Sequence, residues 1–528
     1  MIVTRESTKP QYEINKRTLL WIFLFGILLR LNVAFNTYVV NPDGTIYIHQ
    51  AKALYFAQWD QLTSCGINYL SIYPFLIVGA NYLFQDWIVA ARAVSMVFGC
   101  LALIPLYLIC RLFFQRTVSG MILLILVMIP FLVDTCVDIV RDPVSWFFVA
   151  FGLYFFLLQG GSPRYHLLLS VSCLAFMIGA WARVEALVVI FVSIIYLCLA
   201  RHHRKLVRLT YFTLPVAMIG LCFYLAMFQL GIDEHNLVRG HEVVDKVFGP
   251  HAAYRGLRAS LKDLATYSAV AFDRAFFTHA RSLIWWIALG SVLTYTIKAF
   301  TYPFFAVYWL GLSDWIGHLK KDNRAVYLSI VALASLLVLY VHLLHSWQIY
   351  TRFMAIFLFS SVTVIGFGLE RLVRFAHQRL NLSYSVTLAA LGCLIIAFAL
   401  PKSLGPREKD KLVFKELGEM IAMREGNEKA VKVLASSSAA ALISFYANVN
   451  FPSAVCPLSV EWSEFSKQDY DGFVEKLKKA KLDYFLLEAR RWPRNTFDLK
   501  RELKGKDFEE IATRYHPTTG EMKLYRVL

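Results

Sequence analysis

The chain has 528 residues, 58% of them hydrophobic and 17% charged, with a formal net charge of +17. Soluble domains are nearer half apolar and carry more charge, and one soluble core does not grow large enough to hide this much apolar chain. The charge is uneven: residues 402–528 hold 23 Lys/Arg against 19 Asp/Glu, so most of the excess lies in the apolar part. There it reports topology and contact with anionic lipid, and nucleic acid is excluded as its partner.

The first 17 residues are too polar for the core of a cleavable signal, so 18–36 reads as a retained first span. Further apolar segments follow near 88–110, 117–133, 143–159, 167–181, 184–200, 209–230, 299–317, 325–345, 353–370 and 383–400. Together they make about eleven spans, several of full bilayer length. Segment 281–297 (RSLIWWIALGSVLTYTI) is also membrane-seeking, but a crossing there would put Lys320 and Lys321 on the outside. It therefore reads as an interfacial helix with Trp285 and Trp286 at headgroup level. Ile72 to Phe84, interrupted by Pro74 and Gly79, reads in the same way.

Alternate loops are basic: Arg5/Lys9/Lys16/Arg17, Arg111/Arg116, Arg164, Arg201/Arg204/Lys205/Arg208, Lys320/Lys321/Arg324 and Arg371/Arg374/Arg379. The positive-inside rule makes these cytoplasmic, with the N-terminus inside. The expected organisation is a multi-pass domain over 1–401, with outer loops near 37–87 and 231–298, and an extracytoplasmic α/β domain over 402–528. In that last domain Val431 to Ala435 reads as a strand, followed by a Ser-rich cap and a helix from Ala439 to Tyr446. Asp483 to Leu487 reads as a buried strand, and Lys523 to Val527 as another after the Thr518–Thr519–Gly520 turn. The nine cysteines contain no C-x-x-C pair, which indicates neither a zinc site nor a disulfide framework. Cys65 and Cys136 fall on one face in this topology and form the one bridge it suggests.

Outward hairpins should be poor in basic residues, yet three of them carry an arginine: Arg141, Arg183 and Arg352. An arginine at the membrane boundary snorkels to headgroups or finds an anion, and its planar donor fork matches phosphate. Arg183 has a simpler partner two residues on, Glu185. Acids gather on the same face: Asp43 after the first span, then Asp134, Asp138 and Asp142. Such a carboxylate can act as a general base or hold a divalent cation. Pro42-Asp43-Gly44 is also an ordinary turn sequence, and Asp142-Pro143 is also a helix start. His342 and His345, three apart near the outer end of a span, read as metal ligands or as packing residues. No Walker loop, G-x-G-x-x-G fingerprint or nucleophile elbow occurs, which disfavours a nucleotide-driven pump or a serine hydrolase.

In order and spacing these segments resemble the GT-C-fold membrane glycosyltransferases, close to the protein O-mannosyltransferases and the lipid A aminoarabinose transferase (glycosyltransferase family 39-like). The likeness rests on Pro42-Asp43-Gly44 with Tyr47 and Ala51, on Tyr69 to Tyr82 with Ala91-Arg92 and Arg111-Leu-Phe-Phe, and on Arg141-Asp142-Pro143. Ala182-Arg183-Val-Glu185-Ala186 and Tyr350-Thr-Arg352-Phe353 through Gly368-Leu-Glu370-Arg371-Leu372 complete it. The resemblance implies a polytopic α-helical GT-C-like fold of about 11–13 transmembrane helices, with a small C-terminal α/β soluble domain. It implies inverting transfer of a sugar from a polyprenyl-phosphate donor to a lipid, glycan or protein acceptor on the extracytoplasmic face of the plasma membrane. Asp43, Asp142 and Glu185 are the expected catalytic residues. Arg141, Arg183, Arg352, Tyr47, Tyr350 and His345 are the expected substrate contacts. A divalent metal stays open, with Asp43, Asp138 and Asp142 as candidate ligands. Relatives often carry a second acid after the first, where this chain has Gly44. Two other readings are a flippase of polyprenyl-linked intermediates and a polymerase or ligase of lipid-linked oligosaccharides.

Overall fold

A computed structural model describes residues 13–67, 69–199, 204–230, 240–426, 428–435, 439–458, 465, 469–492, 497 and 505–528. Arg5, Lys9, Arg201 and the Ser-rich cap at 436–438 lie outside these residues.

Among the described residues nine helices are long and apolar enough to cross a membrane. They are Lys16–Phe35, Trp87–Arg111, Asp142–Gly161, Tyr165–Ala182, Lys205–Cys222, Ala271–Phe300, Asn323–Ser346, Thr351–Leu380 and Tyr384–Ser403. A tenth arises if Arg116–Met128 and Pro130–Val137, bent by 55°, count as one span. The bend falls at Pro130, whose missing N–H and ring break the helical ladder. Val184–Leu199 is a shorter apolar helix, which accounts for part of the difference from about eleven spans.

Segment 281–297, expected as an interfacial helix, is part of a longer one. It belongs to the 30-residue helix Ala271–Phe300, which satisfies the length and composition of a span. That helix stops at Thr301, whose φ of 58° is strained for a β-branched residue, and Pro303 in the first turn of Tyr302–Leu319 prevents continuation. Tyr302–Leu319, expected as a span over 299–317, is not among the nine.

Contacts divide the chain into two compact units, and the division cuts across the linear boundary at 401. The first comprises Met1–Asn32, Ser95–Cys136 and Arg141–Leu404. It is helical, and its apolar residues come from the long helices named above. The second comprises Val33–Val94, Val137–Val140 and Gly405–Leu528. The first outer loop is therefore built into the same unit as the C-terminal chain.

The second unit holds a four-stranded sheet: β1 Val433–Ala435, β2 Tyr484–Glu488, β3 Phe508–His516 and β4 Gly520–Val527, in the order β1-β2-β4-β3. β1 runs parallel to β2, while the other pairs are antiparallel. The Thr518–Thr519–Gly520 turn joins β3 to β4, with Gly520 at φ 79°, a conformation glycine adopts without penalty. Three strands fall where the sequence places them; β3 was not anticipated, because its outward positions are charged. Phe473, Leu477 and Val474 of helix Tyr470–Lys479 pack on Phe485 and Tyr525 of the sheet.

Cys65 pairs with Cys456, not with Cys136. Cys136 is a buried free thiol of the first unit, pressed against Gly99 so closely that a side chain there would overlap its sulfur.

Candidate active site

The first unit collects four of the expected residues into one ionic chain. Asp142 opens helix Asp142–Leu158 beside Pro143, and Arg183 sits in extended backbone between helix Tyr165–Ala182 and the short turn Val184–Ala186. The extended break turns Arg183 back toward Asp142, to which its Nη1 donates. Its Nε and Nη2 donate to the two oxygens of Glu185 at 3.2 and 3.1 Å, a bidentate fork. Lys246 Nζ bridges Glu185 Oε1 at 2.8 Å and Glu242 Oε1 at 3.0 Å. Glu242 in turn faces Arg141 at 3.8 Å. The Arg183 and Asp142 side chains are 11% and 4% exposed, so this pairing is shielded from water and little screened by salt. The pairing of Arg183 with Glu185, the simpler alternative at the sequence level, is present.

Arg352 comes to the same place. Arg183, Glu185, His342, Arg352 and Phe353 line one cavity of about 30 Å³, room for roughly one water. Arg183 lies over the Phe353 ring at 4.5 Å and Arg352 at 5.6 Å, with Arg352 also 5.3 Å from the Tyr350 ring. Such stacking holds two guanidinium groups near each other despite their like charge. His345 packs against Gly249, where an added Cβ would meet its ring at 2.4 Å, and His342 meets Phe353 edge-on.

Asp43, Tyr47 and Asp138 belong to the second unit. Asn41 caps helix Pro42–Tyr55, Pro42 takes its first position, and half-buried Asp43 follows. The Asn41 amide clamps Ile139 both ways, donating to its carbonyl at 3.3 Å and accepting from its N–H at 2.8 Å. A Cβ on Gly44 would lie 2.8 Å from Ile139 Cβ and 2.9 Å from Asn41 Oδ1. A side chain at position 44 has no space in this chain. Tyr47 is buried, its ring edge-on to Tyr73. Asp138 pairs with Arg407 at 3.2 Å. Among the described residues no group of three or more His, Cys, Asp or Glu side chains could hold a metal ion.

Sequence reading missed Glu242 and Lys246, whose signal was an i,i+4 pair within helix Gly240–Tyr267. It also missed Phe353 as the shared platform, although that residue stands inside the quoted motif.

Residues 72–228 match the family model described as dolichyl-phosphate-mannose-protein mannosyltransferase. No curated protein gives a sequence match. Among solved structures, ArnT from Cupriavidus metallidurans bound to undecaprenyl phosphate is similar at a TM-score of 0.61 and 12% identity, over 97% of this chain and 98% of that one. The chain has the GT-C fold. The apo form of ArnT gives a TM-score of 0.60 at 13% identity, with the same coverage. The archaeal oligosaccharyltransferase AglB from Archaeoglobus fulgidus, in complex with an inhibitory peptide and a dolichol-phosphate, gives 0.52 at 14%, over 96% and 74%. The GT-C resemblance read from the motifs holds, and the fold and the family match together support a membrane glycosyltransferase. The matched GT-C stretch contains Arg141, Asp142, Arg183 and Glu185.

Proposed function

We propose that this GT-C protein transfers a sugar from a polyprenyl-phosphate donor to an acceptor hydroxyl or amine, with inversion at the anomeric carbon. The observation that carries the reading is the approach of Arg183 and Arg352 to one small cavity over Phe353. Fixed cations of this kind stabilise a departing phosphate as its charge develops. Asp142 and Glu185 act here by holding Arg183, and Lys246 and Glu242 extend the hold to Arg141. Asp43 takes the acceptor proton as the acceptor oxygen or nitrogen attacks. Tyr350 and His345 line the approach of substrate, and Tyr47 acts by packing. The solved relatives support the donor class, since one is bound to undecaprenyl phosphate and another to dolichol-phosphate.

The second unit faces the extracytoplasmic side of the plasma membrane and the N-terminus faces the cytoplasm. The Cys65–Cys456 bridge supports this, because disulfides persist in oxidising compartments. A phosphatase reporter fused at the C-terminus should be active outside; activity only of a cytoplasmic reporter would reverse the orientation.

The catalytic test uses purified full-length protein, a set of radiolabelled polyprenyl-phosphate sugars and a crude envelope acceptor. Wild type should consume one donor, and Asp43→Asn should lose about 10²–10⁴-fold in rate. Equal transfer by Asp43→Asn removes the base role. Movement of intact donor across vesicles without consumption would favour the flippase.

A further inference from the structure

The helix that carries Asp43 is held from both ends by the C-terminal chain, all within the second unit. Ahead of it, Val40 N–H donates to the Tyr446 hydroxyl at 2.9 Å. Val40 is 2% exposed, so no water replaces that acceptor. Thr37 pairs with Arg407 as an isolated parallel bridge, in which Arg407 N–H donates to the Asn36 carbonyl at 3.0 Å. Arg407 also binds Asp138, the neighbour of the Ile139 that Asn41 clamps. At the far end, Lys52 Nζ donates to the carbonyls of Asn448, Val449 and Phe451 at 3.1, 3.0 and 2.7 Å. Gln58 then donates to Ser453 Oγ and accepts from Ala454 N–H, and Cys65 is bonded to Cys456.

Apart from those of Arg407, these contacts come from one short stretch of the C-terminal chain, residues 446–456. Tyr446 and Asn448 end helix Ala439–Asn448, and Lys52 reaches the carbonyl of its last residue, Asn448, together with those of Val449 and Phe451 in the turn that follows. A lysine on one helix thus caps the C-terminus of another, where the helix dipole favours a cation. A lysine 4% exposed would be unfavourable without such acceptors.

We infer that residues 405–456 are a positioning device for the Asp43 helix, with Tyr446, Lys52 and the Cys65–Cys456 bridge as positioning residues rather than groups that touch substrate. The inference rests on the reading of Asp43 as the base. Tyr446 sets where the helix begins, three residues before the carboxylate. Lys52 and the disulfide prevent the helix from turning about that point. A general base displaced by an ångström loses much of its rate, so loosening either end reaches the carboxylate without contacting it.

The test compares full-length wild type, Tyr446→Phe, Lys52→Met, Lys52→Arg, the double variant Cys65→Ser/Cys456→Ser and Asp43→Asn. Two measurements are made: donor consumption and backbone hydrogen exchange of residues 36–55. Tyr446→Phe keeps the ring and removes one acceptor, so kcat should fall about tenfold. Exchange should rise in 36–48 while β2 and β4 stay protected, which general destabilisation would not produce. Lys52→Met should free the far end of the helix, and Lys52→Arg should restore most of the loss. Wild-type rates and unchanged exchange in Tyr446→Phe and the double serine variant, beside an inactive Asp43→Asn, would overturn the positioning role and leave the base intact. An active Asp43→Asn would remove the base and with it the positioning of catalysis, while the exchange data would still show whether the clamp holds the helix.

Discussion

The two regions that carry the expected catalytic residues are held together by opposite means. Around Arg183 the first unit uses ions: three cations and three carboxylates linked from Asp142 to Arg141. Around Asp43 the second unit uses a covalent bridge and hydrogen bonds to backbone carbonyls and amides. Under the proposed function the ionic chain has a use, since its cations are present and fixed before a phosphate arrives. The second unit's charged members, Lys52 and the Arg407–Asp138 pair, serve to tie the C-terminal chain to the helix that carries Asp43.

The contrast can be broken by removing one element from each side. Arg183→Ala leaves Asp142 and Glu185 buried without their main counter-charge and should cost about 3–5 kcal/mol of stability. It should unfold at lower denaturant than wild type, and Arg183→Lys should recover only part, because the bidentate fork is lost. Cys65→Ser/Cys456→Ser should cost about 2–4 kcal/mol, read as a lower melting temperature that added reductant does not lower further. If reductant also destabilises the double variant, the bridge is not the source.

Lys52 gives a pH signature confined to the second unit. Burial pushes its ammonium from 10.5 down to about 8. Between those values the folded state binds fewer protons than the unfolded state, so stability should rise with pH across that window. Burial also lowers the His49 ring, three residues earlier, so it is already neutral there. In Lys52→Met the rise, on the order of 1–3 kcal/mol, should vanish; if it persists, another group is responsible. The smallest effect is Lys246→Ala. Its side chain is 31% exposed, and its loss should cost about 0.2–1 kcal/mol and diminish in high salt. A larger loss would mean that Lys246 is structural to the whole ionic chain.

Much of this was legible in the sequence for simple reasons. Long apolar runs announce spans, and the Arg183–Glu185 pair is legible from its spacing of two residues. The turn before β4 was legible because Gly520 is the residue such a turn needs. What hydropathy could not supply was pairing at a distance. Nothing in the composition of 37–87 says that it closes on 446–456, so Cys65 was joined to the wrong partner. For segment 281–297 loop charge and apolar length point different ways, and only the full extent of Ala271–Phe300 brings that length into view.

The bridge between Cys65 and Cys456 spans 391 residues. At ordinary synthesis rates that distance represents roughly 20 to 80 s of translation. Throughout that interval Cys65 lacks its disulfide partner and Lys52 its acceptors, because neither has been synthesised. The clamp around helix Pro42–Tyr55 therefore closes only once the C-terminal chain has been made. Oxidation of this pair is therefore a late step, open only after residue 456 has been added to the chain.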